Sequence, residues 1–358
     1  MRKRSGFTLL ETAAVVGVVS LLVGVLAPAV KMTRSQARGV GSAANLMFIG
    51  QGSGMYAQDH AGRIFSYTWA GPRPGGFDVV FFDMPDGRTR GATSDQEAAS
   101  WQQTAILMLG TGRIDGPDKI LGNTDSVVHR RTILLVLQDY LGRPFPDPMV
   151  ADPADANLLQ WQANPLDIEI TNNIPYAPGS DVDGYDTPGS WTSRNQRQRW
   201  AYGSSYQTTA AAWQSDGIGG EPSFVPTANT PNLFLGGLGI YTAQGRNFAD
   251  VVFPSHKVYF FEEFDREQAG SPYFAYDHAR PEKLMFDGSV NSLPSGEARP
   301  SWNPAIGKQE WRQTYVPLHT FPLPMGGFGD LTLLSQRYRW TMGGLKGIDY
   351  VPGPIFTR

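Results

Sequence analysis

"RKRSGFTLLETAAVVGVVSLLVGVLAPAV" occupies Arg2–Val30, and its reading decides the rest of the chain. From Phe7 to Val30 run 24 residues with one ionisable group, Glu11. A helix of that length, at about 1.5 Å per residue, reaches roughly 36 Å, enough for the roughly 30 Å hydrocarbon core of a bilayer. Cations stand on both sides: Arg2, Lys3 and Arg4 before the run, and Lys31, Arg34 and Arg38 after it. Flanking charge therefore sets no orientation. A cleaved secretory signal would suit the basic start and the small residues Ala27-Pro28-Ala29. Its apolar core, however, usually spans only about 7–15 residues. A plain membrane anchor fits the length but leaves Glu11 unexplained, because a carboxylate in hydrocarbon costs several kcal/mol unless it is paired.

The chain has 358 residues, enough to bury a core and to form one to three domains. Its formal charge of −3 argues against a nucleic-acid partner, which a clear basic excess would favour. The absence of cysteine excludes a disulfide framework, a thiolate metal site and a thiol nucleophile. Gly (41) and Pro (27) make up about a fifth of the chain, mostly beyond residue 60. That region is expected to be rich in turns and loops, with short strands and little helix.

The first helix is expected to continue past the bilayer and to end near Ala57–Gly62. Val40, Ala43/Ala44, Met47 and Phe48 recur at spacings of three or four as an apolar stripe, interrupted by Gln51-Gly52 before Met55 resumes it. "GVGSAA" (Gly39–Ala44) has the outline of a dinucleotide fingerprint but follows no strand, so it is read as small residues that allow close packing. Further on, a short strand is expected at Phe77–Phe82. A helix is expected over Asp95–Leu109, with a Ser94/Glu97 capping box and Gly110 as its stop. Another runs over about Asp125–Leu141 before Gly142. Strands are expected at Arg199–Thr208, Val251–Phe253 with Val258–Phe264, and Leu284–Val290.

The N-terminal features come in a particular order: basic leader, Ser5-Gly6, Phe7, Thr8-Leu9-Leu10, Glu11, then an apolar helix containing Pro28. This order closely resembles the class III leader of type IV prepilins and type II secretion pseudopilins. The resemblance implies cleavage by a prepilin peptidase between Gly6 and Phe7 and N-methylation of Phe7. It also implies assembly with other pilin or pseudopilin subunits on an inner-membrane platform. Cleavage would remove three cations and leave an ammonium at Phe7. A neighbouring subunit's ammonium, offset by about one helical turn, would then pair with Glu11. Pro28 removes one helix hydrogen bond and favours a kink or local melting. Elsewhere "YAQDHAGRIF", "LQDYLGRPFPDPMVADPAD", "FPSHKVYFFEEFD" and "YDHARPEKLMFDGSV" resemble a pilin-like subgroup abundant in planctomycete-type bacteria. That subgroup carries a histidine followed by Asp-Gly, here His278 and Asp287-Gly288, with eight residues between them where nine are usual. It also carries a Cys-Pro-x-Asp segment, which here reads Ala151-Asp152-Pro153 without a cysteine.

Other candidate sites have bland competitors. His278 with Asp287 could form a metal or catalytic pair, but Asp-Gly also makes a tight turn and a histidine can bond nearby backbone. Asp181, Asp183 and Asp186 surround Gly184, the donor chemistry of a calcium loop, and make calcium the one candidate cofactor. Thr192 stands where an EF-hand needs glutamate, so an EF-hand is excluded and a solvated acidic turn competes. Glu262-Glu263 and Asp265 could serve as paired carboxylates or simply close an exposed strand end. No G-x-S-x-G, H-E-x-x-H or phosphate-binding loop motif occurs, and no enzyme is expected. The nine Trp and fourteen Tyr could line a glycan- or protein-binding face, or pack as core.

The expected fold is α+β: a long N-terminal transmembrane and amphipathic helix packed on a loop-rich antiparallel sheet. Residues 1–6 form the leader, 7–58 the helix (7–30 in the membrane) and 59–358 an extracytoplasmic domain. The expected location is the inner membrane, crossed once, with the N-terminus in the cytoplasm. The expected function is a structural subunit of a pilus or secretion pseudopilus. The alternative is a membrane-anchored glycan-binding protein or glycan-active enzyme, which would need neither Gly6 nor Glu11.

Overall fold

The computed structural model describes residues 8–67, 72–73, 76–77, 79–93, 95–122, 132–142, 145–166, 198–199, 201–213, 224–227, 230–236, 246–268, 272–301, 312–315 and 332–351. Helix α1 spans Leu9–Asp59 and is helical straight through Pro28, so the local melting expected there does not occur. Thr8 caps its start, and the chain leaves it at Gly62 (φ +78), whose N–H donates to the Ala57 carbonyl at 2.7 Å. Every residue from Thr8 to Arg34 is exposed. Exposure is 90 % at Leu9 and still 46 % at Val30, a contiguous apolar surface of the kind that marks a membrane or protein contact. α1 is thus long and apolar enough to cross a membrane, and among the described residues none of its most apolar stretch is buried.

The second half of α1 is built into the domain, but of the expected stripe it is Phe48 that packs against the main core. The buried residues are Ser42, Asn45, Leu46, Ile49, Gly52, Ser53 and Ala57. Val40, Met47 and Met55 are 72, 47 and 52 % exposed on the other side. The inward face is small and polar because its polar groups meet partners there. Asn45 donates to the Ala151 carbonyl at 2.9 Å, and the Ser53 and Tyr259 hydroxyls lie 2.6 Å apart. Close approach needs glycine as well. A Cβ on Gly50 would meet Leu284 at 2.9 Å, and one on Gly52 would meet Leu141 at 2.9 Å. The small residues of Gly39–Ala44 work in the same sense: Gly41 lies under Pro153.

After α1 come two hairpins, β1 (Pro72–Arg73) with β2 (Gly76–Phe77) and β3 (Val80–Asp83) with β4 (Thr89–Ala92). The strand expected at Phe77–Phe82 is therefore divided between β2 and β3. α2 covers Asp95–Thr111, two residues longer than expected. Ser94 lies outside the described residues, and Glu97 instead accepts from the Thr93 N–H and hydroxyl at 2.7 and 2.8 Å. Of the helix expected at 125–141, the described part is a 3-10 turn at Ile133–Leu137 followed by α3 at Gln138–Leu141, ended by Gly142 at φ +61. α4 is Ala156–Ala163.

The strands that follow are β5 (Tyr206–Thr208), the hairpin of β6 (Phe224–Thr227) and β7 (Thr230–Gly236), β8 (Val258–Glu262), β9 (Lys283–Met285) and β10 (Val290–Asn291). A last hairpin joins β11 (Arg312–Tyr315) to β12 (Thr332–Ser335). The central sheet is antiparallel in the order β10-β9-β8-β5. Residues 251–253 form no strand, and the strand expected from Arg199 begins only at Tyr206. α1 lies across this sheet. Leu46 and Ile49 join Tyr206, Tyr259, Phe260, Leu284, Trp213 and Trp340 in the largest core cluster. The fold is α+β, with antiparallel sheets and one long N-terminal helix.

Candidate functional site

At the head of α1, Gly6 and Phe7 lie outside the described residues. Glu11 is described, and it belongs to a capping box that the motif Thr8-x-x-Glu11 makes legible in the sequence. Its carboxylate accepts from the Thr8 N–H and hydroxyl, each at 2.8 Å, while the Glu11 N–H donates back to the Thr8 hydroxyl at 3.3 Å. In the single chain Glu11 thus already has two local donors. Among the described residues no cation pairs with it.

A second locus lies where α1 meets the sheet, and here the sequence reading needs correction. Glu262, Glu263 and Asp265 do not mark an exposed strand end: they are 0, 2 and 3 % exposed. They do not form a paired-carboxylate site either, because each faces different partners. Glu262 accepts from the Ser42 hydroxyl of α1 and from the Glu282 N–H at 3.0 Å. Glu263 pairs with Arg339 at 3.3 Å, and Arg339 also lies over the Phe274 ring at 4.5 Å. Asp265 accepts from the Arg280 and Gln268 N–H groups at 2.8 and 3.2 Å.

Carboxylate oxygens of Asp152, Glu262 and Glu267 lie within 4.8 Å of one another. Arg266 supplies positive charge beside them, reaching Asp152 at 3.3 Å and Asp155 at 2.9 Å. Burial, and then the charges of Asp152 and Glu267, hold Glu262 well above the usual carboxylate range. Glu267 is pushed up to about 7, first by burial and then by Asp152. Glu267 is therefore partly protonated at neutral pH, which eases the burial of these carboxylates under the helix face of Gly39 and Ser42. On its other side Lys283 is wholly buried and lowered to about 7, desolvation outweighing Glu282, Glu262 and Asp265. Its ammonium donates to the carbonyls of Pro281 and Leu293 at 2.6 and 2.7 Å. Sequence reading saw these residues singly. Their assembly around Ser42 depends on contacts across more than a hundred positions.

Asp287-Gly288 is the tight turn of the β9–β10 hairpin. Gly288 sits at φ +87, and the Asp287 carboxylate accepts from the Ser289 N–H and hydroxyl at 2.9 and 2.6 Å. His278 is exposed, its ring 5.7 Å from that of Tyr276, and among the described residues it makes no hydrogen bond to backbone. Asp181, Asp183 and Asp186 lie outside the described residues. Trp161, Trp213 and Trp340 are core residues, at 2–3 % exposure. A cleft of about 740 Å³ opens beside the end of α1, walled by Tyr56, His60 and Tyr140, with the Tyr56 and His60 rings stacked at 3.9 Å. No protein-family model, curated protein or solved structure matches the chain.

Proposed function

We propose that the chain is a pilin-like or pseudopilin structural subunit. One observation carries this reading: α1 is a single helix with two different halves. Its first half, headed by Glu11, is apolar and exposed at every described residue, while its second half is fixed in the domain core. A helix of that kind needs lipid before assembly and neighbouring helices after it. The outward Val40, Met47 and Met55 extend the apolar surface beyond the bilayer, where only another protein would cover it. In this reading a prepilin peptidase cuts after Gly6 and methylates Phe7. The N-terminus starts in the cytoplasm and the domain faces the periplasm or exterior. Subunits join on an inner-membrane platform into a pilus or a secretion pseudopilus. Thr8 holds the Glu11 carboxylate in the isolated subunit, and a neighbour's Phe7 ammonium supplies the countercharge on assembly. The alternative, a membrane-anchored glycan-binding protein or enzyme, gives Gly6 and Glu11 no task.

The test is mass spectrometry of the membrane-extracted protein. A mature terminus at methylated Phe7 is expected, and Gly6→Val should leave the chain uncut in the membrane. A terminus after Ala27 or Ala29 would refute the proposal.

A further inference from the structure

We propose that a cleft between the membrane-proximal turns of α1 and the Arg266–Gln268 loop seats the phosphate headgroup of an anionic phospholipid. The cleft encloses about 650 Å³. On the α1 side Lys31, Arg34 and Arg38 all line it. Spaced at i, i+3 and i+7, they share one helix face. All three are exposed, and none is in an ion pair among the described residues. Below them on the same wall stand Ala27 and Val30, the end of the apolar run. The cleft thus offers apolar contact at acyl-chain depth and three cations from just beyond Val30 to about two turns higher, which is the chemistry of a lipid with a charged phosphate.

The opposite wall competes little for those cations. Arg266 is occupied by Asp152 and Asp155. Among the described residues Glu267 is the one carboxylate lining the cleft, and burial raises it to about 7, so much of it is uncharged at neutral pH. The Ser35 hydroxyl donates to the Glu267 carbonyl at 3.0 Å, which ties this loop to the helix and gives the cleft a fixed width. An acidic protein segment would meet the same cations. Depth decides against it: with α1 spanning the bilayer, residues 31–38 begin at the phosphate layer. The inference rests on that spanning reading.

The experiment places the full-length chain in nanodiscs of phosphatidylcholine, alone or with a minor fraction of phosphatidylglycerol. Lipids retained on release are counted by native mass spectrometry, and protease protection scores insertion. The natural chain should retain phosphatidylglycerol above its bulk share, by roughly fivefold for each cation engaged. The variant K31Q/R34Q/R38Q should insert equally well and lose the enrichment. R280Q/R299Q/K346Q, which removes the same charge elsewhere on the surface, should keep it. A large excess of inorganic phosphate should not displace the lipid; displacement would assign the cleft to a free anion and overturn the lipid seat. Insertion with equal retention by the natural chain and the α1 triple variant would overturn it too. Failure to insert in any lipid would overturn the spanning reading and the seat with it.

Discussion

Replacing Glu267 by glutamine isolates the electrostatics under α1. In the folded chain Glu267 titrates at about 7 against an ordinary value of 4.5. Between those values the folded state holds a proton that the unfolded state has released, so stability must fall as pH rises through that window and level off above it. The full displacement corresponds to about 3 kcal/mol. Glu267 is partly exposed, and screening reduces the expected loss to about 1–2 kcal/mol. For a chain of this size that is a fall of about 1–3 °C in melting temperature. Lys283 acts in the opposite sense at higher pH. Its folded value is about 7 against 10.5, so the unfolded state binds the extra proton between them and stability recovers as pH rises. Thermal melts of the full chain in detergent micelles should therefore show a minimum near neutrality. Glu267→Gln should match the natural chain at acid pH and melt higher at pH 7, with a shallower fall between. An identical slope for both proteins would refute the account of the cluster.

Three other outcomes are expected. Ile49→Ala, at a wholly buried position, should destabilise the domain by about 2–5 kcal/mol, whereas Val40→Ala on the outward face should leave the melting of the monomer unchanged. Equal effects in denaturant titration would mean that the helix faces are misread. Asp349→Ala removes the carboxylate that lies 3.2 Å from the buried Lys257 ammonium and should cost about 3–5 kcal/mol; Lys257→Met in the same background should recover part of the loss. Glu11→Leu should insert at least as well as the natural chain, because an intramembrane charge is gone. It should still be cut after Gly6 yet be depleted from sheared filaments, and undiminished recovery there would remove Glu11 from the assembly argument.

The extent of α1 was legible because an unbroken apolar run and then a 3.6-residue rhythm leave few alternatives. Its buried face was not. A rhythm of apolar residues points to the core only when one surface competes for them, and here the outward side holds Val40, Met47 and Met55. Ser42, Asn45 and Ser53 turn inward because Glu262, Ala151 and Tyr259 wait for them, and no local pattern announces partners that far along the chain. The carboxylates of β8 were misread for a related reason. "VYFFEEF" has no polar alternation because β8 is central in its sheet and covered on both faces, and Phe264 after the glutamates was the sign that burial continues. The turn at Asp287-Gly288 was readable because its chemistry is local. His278 was not, since a lone exposed imidazole has no pattern to betray its surroundings.

The continuity of α1 through Pro28 also has a mechanical meaning. The helix is about 75 Å long at 1.5 Å per residue, with no flexible joint between its free end and the sheet. A pull along its axis arrives at the domain as shear. The bonds from Ser35, Ser42, Asn45 and Ser53, spread over eighteen positions, would take that load together. A sideways pull at the free end would instead open them one after another from Ser35. In the proposed filament the chain should thus be stiff to tension along the fibre and compliant to peeling, a directional strength set by where four small polar side chains sit on one helix.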